Sequence, residues 1–130
     1  MPSRARRSTR RSAPSRRAMP SYGLLAAGSG LILYLTMTRV ISGYHPYLLW
    51  LAAWSVTGLA FYGLDKSSAQ RGRWRVPEVV LHALAFVGGV AGCWLGMLVF
   101  RHKTQSVEFR LALIGATFIH GALLMAVLGR

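Results

Sequence analysis

Four long apolar stretches, at about 22–40, 46–64, 77–100 and 106–128, alternate with short polar connections along the 130 residues. Each has roughly 18–24 residues, enough at ~1.5 Å per residue to span a hydrocarbon core of ~30 Å. Backbone groups in lipid must be satisfied within their own segment, so these stretches predict helices. The expected fold is all-α, an integral membrane bundle of four hydrophobic helices over residues 22–130. Local signals mark the boundaries. Pro46 and Pro77 suit a first helical turn, where the missing N–H costs nothing. Ser106 fits an N-cap, with Glu108 favourably placed in the first turn. Residues 42–46 read as a tight turn, and Tyr44, Tyr47 and Trp50 fall where an aromatic belt is expected. Arg39 ends the first stretch, where its long side chain can snorkel to the interface.

Charge sharpens this picture. Sixteen Lys and Arg against three acids give a formal charge of +13, yet only 15% of residues are charged and 53% are hydrophobic. Soluble domains carry nearer a quarter charged residues. Seven of the cations (Arg4, Arg6, Arg7, Arg10, Arg11, Arg16 and Arg17) lie in residues 1–21, which contain no acid. With Ser, Pro and Ala between them, this stretch has too little apolar surface to offset ordering and is expected to be a disordered basic tail. It places the N-terminus in the cytoplasm and suits contact with anionic lipid headgroups. Its Arg and Ser content also resembles that of a transit peptide. The one cysteine, Cys93, lies within an apolar stretch, where a small packing residue is the simplest role.

The third stretch poses a conflict. It lies between two basic blocks, DKSSAQRGRWRVPE at 65–78 and RHKTQSVEFR at 101–110, which together hold all three acids. A full crossing puts the blocks on opposite sides, against the preference of basic connections for the cytoplasm. A re-entrant hairpin broken at Gly88-Gly89 keeps them together, but irregular backbone at membrane depth then needs cover from protein or water. Gly88, Gly92 and Gly96, at i, i+4 and i+8, favour the continuous helix, because they make a smooth face for close packing. That face can serve the monomer or a second copy, so a homo-oligomer is open.

Candidate chemistry is concentrated in the two blocks. Asp65 sits at the expected C-terminal end of the second helix, where a carboxylate is unfavourable by ~0.3–1 kcal/mol. It therefore calls for a partner among Lys66, Arg71, Arg73 and Arg75. Glu78 opens the third helix, where capping is a sufficient role, and His82 lies one turn deeper on the same face. An imidazole there should face protein, and the pair is only half of a metal site. Arg101, His102 and Lys103 follow the third helix, where cations complement its dipole or bind an anion such as lipid phosphate. His120 is expected to be a buried, hydrogen-bonded histidine, and His45 an exposed one in the turn. No nucleophile–base arrangement assembles, and GGVAGCWLG lies within an apolar segment, where packing rather than phosphate binding explains its glycines.

Gly63-Leu64-Asp65-Lys66, Ala69, Arg73-Trp74-Arg75-Val76-Pro77-Glu78, Gly88-Gly89, Gly92, Gly96-Met97, Phe100-Arg101-His102-Lys103-Thr104 and Phe109-Arg110 together resemble the domain of unknown function 1294 family. These are small prokaryotic membrane proteins, and the likeness covers about residues 47–112. It implies a multi-pass protein of the bacterial cytoplasmic (inner) membrane and no established catalytic activity. Many members carry a cold-shock nucleic-acid-binding domain before the membrane part. Residues 1–21 are too short for one.

Three functions fit these readings, and none requires a cofactor or metal. The leading one is a structural or interaction role with the basic tail on anionic lipid. The second is a small membrane enzyme or headgroup-binding protein with an interfacial polar site of Asp65, Lys66, Arg73, Arg75, Glu78, His102 and Lys103. The third is a membrane tether for nucleic acid, binding phosphates through the arginine tail. That tail lacks interleaved aromatics for base stacking. Catalysis is the less favoured class.

Overall fold

The computed structural model describes residues 18–72, 76–101 and 106–130, with side chains from Ser21 onward. The described residues are helical with no strand: α1 (Ala18–Val40), α2 (Pro46–Gln70), α3 (Glu78–Leu84), a wide turn at Ala85–Gly89, α4 (Val90–Val99) and α5 (Val107–Leu128). Two boundaries move from the sequence expectation. Helix α1 starts at Ala18, so residues 18–21 are helix rather than tail. Helix α2 runs on past 64 to Gln70, because residues 65–70 contain nothing that breaks a helix. It stops where the Arg71 N–H returns to the Ser67 carbonyl and Gly72 takes a positive φ of 64°. Asp65 is therefore inside a helix, not at its end, and the dipole penalty expected there does not apply. Ser106 does occupy the N-cap of α5, but its hydroxyl makes no capping bond. The capping side chain is His45, whose Nδ1 accepts the Tyr47 N–H at 3.2 Å.

Helices α1 and α2 run antiparallel. Tyr34 meets Trp50 edge-on, with ring centroids 5.1 Å apart, and Gly30 faces the Trp54 ring. The start of α1 thus lies toward the end of α2. That end is called here the charged end; the other, at 41–45, is the turn end.

The Glu78–Val99 stretch is long and apolar enough to cross a membrane, yet its two halves run in opposite directions. Helix α3 rises from the charged end. Pro77, Val79 and Val80 share a groove with Gly23, Ala26 and Ala27 of α1, and ten residues later the Val87 carbonyl accepts the Trp50 indole N–H at 2.7 Å. Helix α4 then returns beside α2 and parallel to it. Gly88 faces Trp50, Gly92 faces Ser55, Cys93 faces Gly58, Gly96 faces Tyr62 and Phe100 faces Gly63, so both registers climb together. At the last step Lys66 Nζ lies 5.8 Å from the centre of the Phe100 ring. The segment is a re-entrant hairpin with both feet at the charged end, and the continuous-crossing alternative does not hold. The break is at Gly88, with φ 148° and ψ −3°. Only glycine takes up such a conformation readily.

The expected glycine face is corrected accordingly. Gly88 makes the turn, whereas Gly92 and Gly96 bring α4 onto α2. A methyl group on Gly96 would stand 2.7 Å from the Tyr62 Cβ, and one on Gly92 would collide with the Ser55 carbonyl. These two glycines are thus used inside the chain, not against a second copy.

Helix α5 closes the bundle from the charged end to the turn end. Phe109 stacks on His82 (4.3 Å between centroids), Thr117 accepts the Trp94 indole N–H at 3.0 Å, and Leu123, Ala126 and Val127 line a pocket with His45. The core gathers Tyr62, Leu81, Cys93, Met97, Phe109 and Leu113, all nearly inaccessible. The outward faces carry Leu24, Ile32, Leu98, Leu111, Phe118 and Met125, all exposed. A bundle with a packed interior and an apolar exterior is suited to lipid rather than water.

Candidate functional site at the hairpin and the charged end

A helix that ends inside a membrane leaves its last carbonyls without partners, at several kcal/mol each. At the hairpin tip, side chains supply them. Trp50 donates to the Val87 carbonyl, and His120 Nε2 lies 2.8 Å from the Phe86 carbonyl. A carbonyl can only accept, so Nε2 is the donor there, and Nδ1 lies 2.8 Å from the Tyr47 hydroxyl. Two membrane-spanning helices, α2 and α5, thereby hold the turn of a third element that does not span. His120 is buried and hydrogen-bonded, as the sequence suggested. Tyr47 and Trp50, expected in an aromatic belt, are half-exposed, and their polar atoms bond to His120 and to the Val87 carbonyl. Alternation of apolar and polar residues gave no sign of this role. A lone histidine in an apolar stretch opposite a Gly-Gly pair was the available signal.

At the other end, the hairpin brings the two charged blocks together. Asp65 is completely buried and engaged with a partner, one turn along α2 from the buried Tyr62. Lys66 is partly buried, with its ammonium group over the Phe100 ring. Such an arrangement is attractive by ~0.5–1 kcal/mol when exposed and more when desolvated. Glu78 is exposed and also engaged, and Glu108 is exposed in the first turn of α5. Arg101 ends α4 with φ 47°, a left-handed conformation that glycine usually supplies. For arginine it costs about 1–2 kcal/mol. It turns the chain sharply at the surface and leaves the guanidinium side chain exposed.

Of the residues proposed for an interfacial site, Asp65, Lys66 and Glu78 are at this end. Arg73, Arg75, His102 and Lys103 lie outside the described residues, as do the arginines of the tail. His82 faces protein, but its Nε2 has no hydrogen-bond partner, so that nitrogen forms no relay with Glu78. Among the described residues no three His, Cys, Asp or Glu side chains gather as metal ligands would. Cys93 is buried with its sulfur against Gly58, a packing position.

Residues 55–109 match the model of a family described as "Protein of unknown function (DUF1294)". The segment begins on α2, takes in the whole hairpin and all of the two charged blocks except Arg110, and ends at Phe109. A relative from Bacillus subtilis (strain 168), "Uncharacterized protein YsdA", is 43% identical over 56 residues. The aligned region is 43% of this chain and 63% of that protein, so the chain spans under two thirds of its relative's length. No solved structure matches. Through residues 55–109, the segment that builds the hairpin and joins the charged blocks, the chain is similar to the DUF1294 family.

Proposed function

We propose that this is a multi-pass protein of a prokaryotic inner membrane that holds anionic phospholipid headgroups at its charged, cytoplasmic end. The observation that carries the reading is the parallel pairing of α2 with α4, which sets Lys66 over the ring of Phe100, the residue before Arg101. Charge supports the orientation. Among the described Lys and Arg, only Arg39 and Arg130 lie at the turn end, whereas Lys66, Arg71, Arg101 and Arg110 lie at the charged end. Such asymmetry is what the positive-inside preference asks for.

The chemistry is charge-assisted hydrogen bonding. Lys66 offers a compact ammonium group and Arg101 a planar fork of donors, both suited to a phosphodiester oxygen. Asp65, buried and engaged, fixes the local charge balance rather than meeting the ligand. Arginines of the tail would add ~1 kcal/mol each when near an anionic surface.

The test is thermal unfolding of the purified protein in neutral detergent, with added phosphatidylglycerol or phosphatidylcholine. A ligand that binds only the folded state raises its stability. Phosphatidylglycerol should raise the midpoint by several degrees and phosphatidylcholine should not. Lys66→Ala with Arg101→Ala should remove at least half of the difference. Equal shifts with the two lipids would sink the proposal.

A further inference from the structure

Phe100 closes α4 at its C-cap, half-buried and packed against the core. Its ring lies over Gly63 of α2, where an added methyl group would stand 3.1 Å from the ring's Cζ. A larger side chain at that position would push the ring away. Lys66 is one turn further along α2, on the same face as Gly63. Its ammonium lies 5.8 Å from the ring centre, within the ~6 Å reach of a cation–π contact. The bare backbone at Gly63 thus admits the ring, and the ring gives the lysine a fixed place.

A lysine on a helix surface ordinarily samples many rotamers, and ordering it opposes binding. Lys66 is partly buried, so its stem already lies along protein. A ring face attracts the ammonium without taking a hydrogen bond from it, so its N–H donors remain for an anion. The ring belongs to the hairpin and the lysine to a spanning helix. Their contact therefore exists only when α4 lies folded back beside α2. We infer that Phe100 is a positioning residue of the headgroup site: its ring, seated on Gly63, holds the Lys66 ammonium for the phosphate and makes that readiness depend on the docked hairpin. This deepens the proposed headgroup role and rests on it. A headgroup on Lys66 in turn favours the docked hairpin, because a ligand shifts an equilibrium toward the state that binds it better.

The experiment titrates the full chain in neutral detergent with phosphatidylglycerol and reads the lipid concentration that gives half of the rise in unfolding temperature. Phe100→Leu keeps an apolar side chain but removes the ring face, and should raise that concentration about threefold, the size expected when a contact of this class is lost. Phe100→Tyr keeps the face and should stay at the wild-type value. Phe100→Met, a flexible apolar replacement, should behave as Phe100→Leu does and serves where leucine packs badly. In a Lys66→Ala background, Phe100→Leu should have no further effect, since the ring then has nothing to hold. Binding unchanged by Phe100→Leu, when Lys66→Ala weakens it, overturns the positioning role and leaves the headgroup reading intact. So does a loss in Phe100→Tyr as large as in Phe100→Leu, or an equal loss from Phe100→Leu with and without Lys66, either of which marks packing alone. Phosphatidylglycerol binding that Lys66→Ala leaves unchanged counts against the headgroup reading itself.

Discussion

Removing the imidazole of His120 leaves the Phe86 carbonyl and the Tyr47 hydroxyl without their partner inside the bundle. Each buried polar group stranded in this way costs ~1–3 kcal/mol. His120→Ala should therefore lower stability by roughly 2–4 kcal/mol. His120→Gln, which can both donate and accept, should recover part of that loss. Chemical denaturation in a mild detergent mixture measures both, and equal losses would show that the hydrogen bonds matter less than packing. At this scale the sequence was partly legible. A histidine in an apolar stretch had to be bonded to something. Which carbonyl it met depended on a turn made 34 residues earlier in the chain, beyond the reach of any local pattern.

Helix pairing is where glycine has its effect. Gly92 brings α4 so close to α2 that the Ser55 carbonyl occupies the place of a side chain. A backbone carbonyl cannot rotate away as a flexible side chain would. Gly92→Ala should cost about 1–3 kcal/mol or more through overpacking, whereas Gly115→Ala, with open space around it, should be nearly neutral. Thermal unfolding of the two variants side by side checks this; equal stability would argue against the α2–α4 contact. The four apolar stretches were readable because length and hydropathy report burial in lipid. The direction of α4 was not, since the same 22 residues satisfy the length of a span and the needs of a hairpin. The i, i+4, i+8 glycines pointed toward a continuous helix because spacing alone does not distinguish a packing glycine from one that turns the chain. The clustering of cations on either side was the better guide.

For the molecule as a whole, the hairpin changes the number of crossings. Helices α1, α2 and α5 pass from one end of the bundle to the other, while α3 and α4 return to where they began. Single cysteines in a Cys93→Ala background should show it. Ser67→Cys and Ser106→Cys should react with an impermeant thiol reagent from the same side, and Ser42→Cys and Gly129→Cys from the opposite one. Reaction of positions 67 and 106 from different sides would restore the continuous crossing. The family segment at 55–109 contains the hairpin and both of its feet but excludes α1 and nearly all of α5. The shared sequence is therefore the part whose backbone departs from a simple span, and the outer helices provide its cover.

The bond from His120 to the Phe86 carbonyl also has a consequence in time. Residue 120 follows Phe86 by 34 positions in the chain, so the tip lacks this donor until α5 packs against it. During that interval the 78–99 stretch has the apolarity of a span, with the basic residues from Arg101 onward discouraging its far end from being carried across. Insertion of α5 then supplies the missing donor and commits the chain to its turned-back form. Packing of α5 against the tip thus acts as the latch of the hairpin.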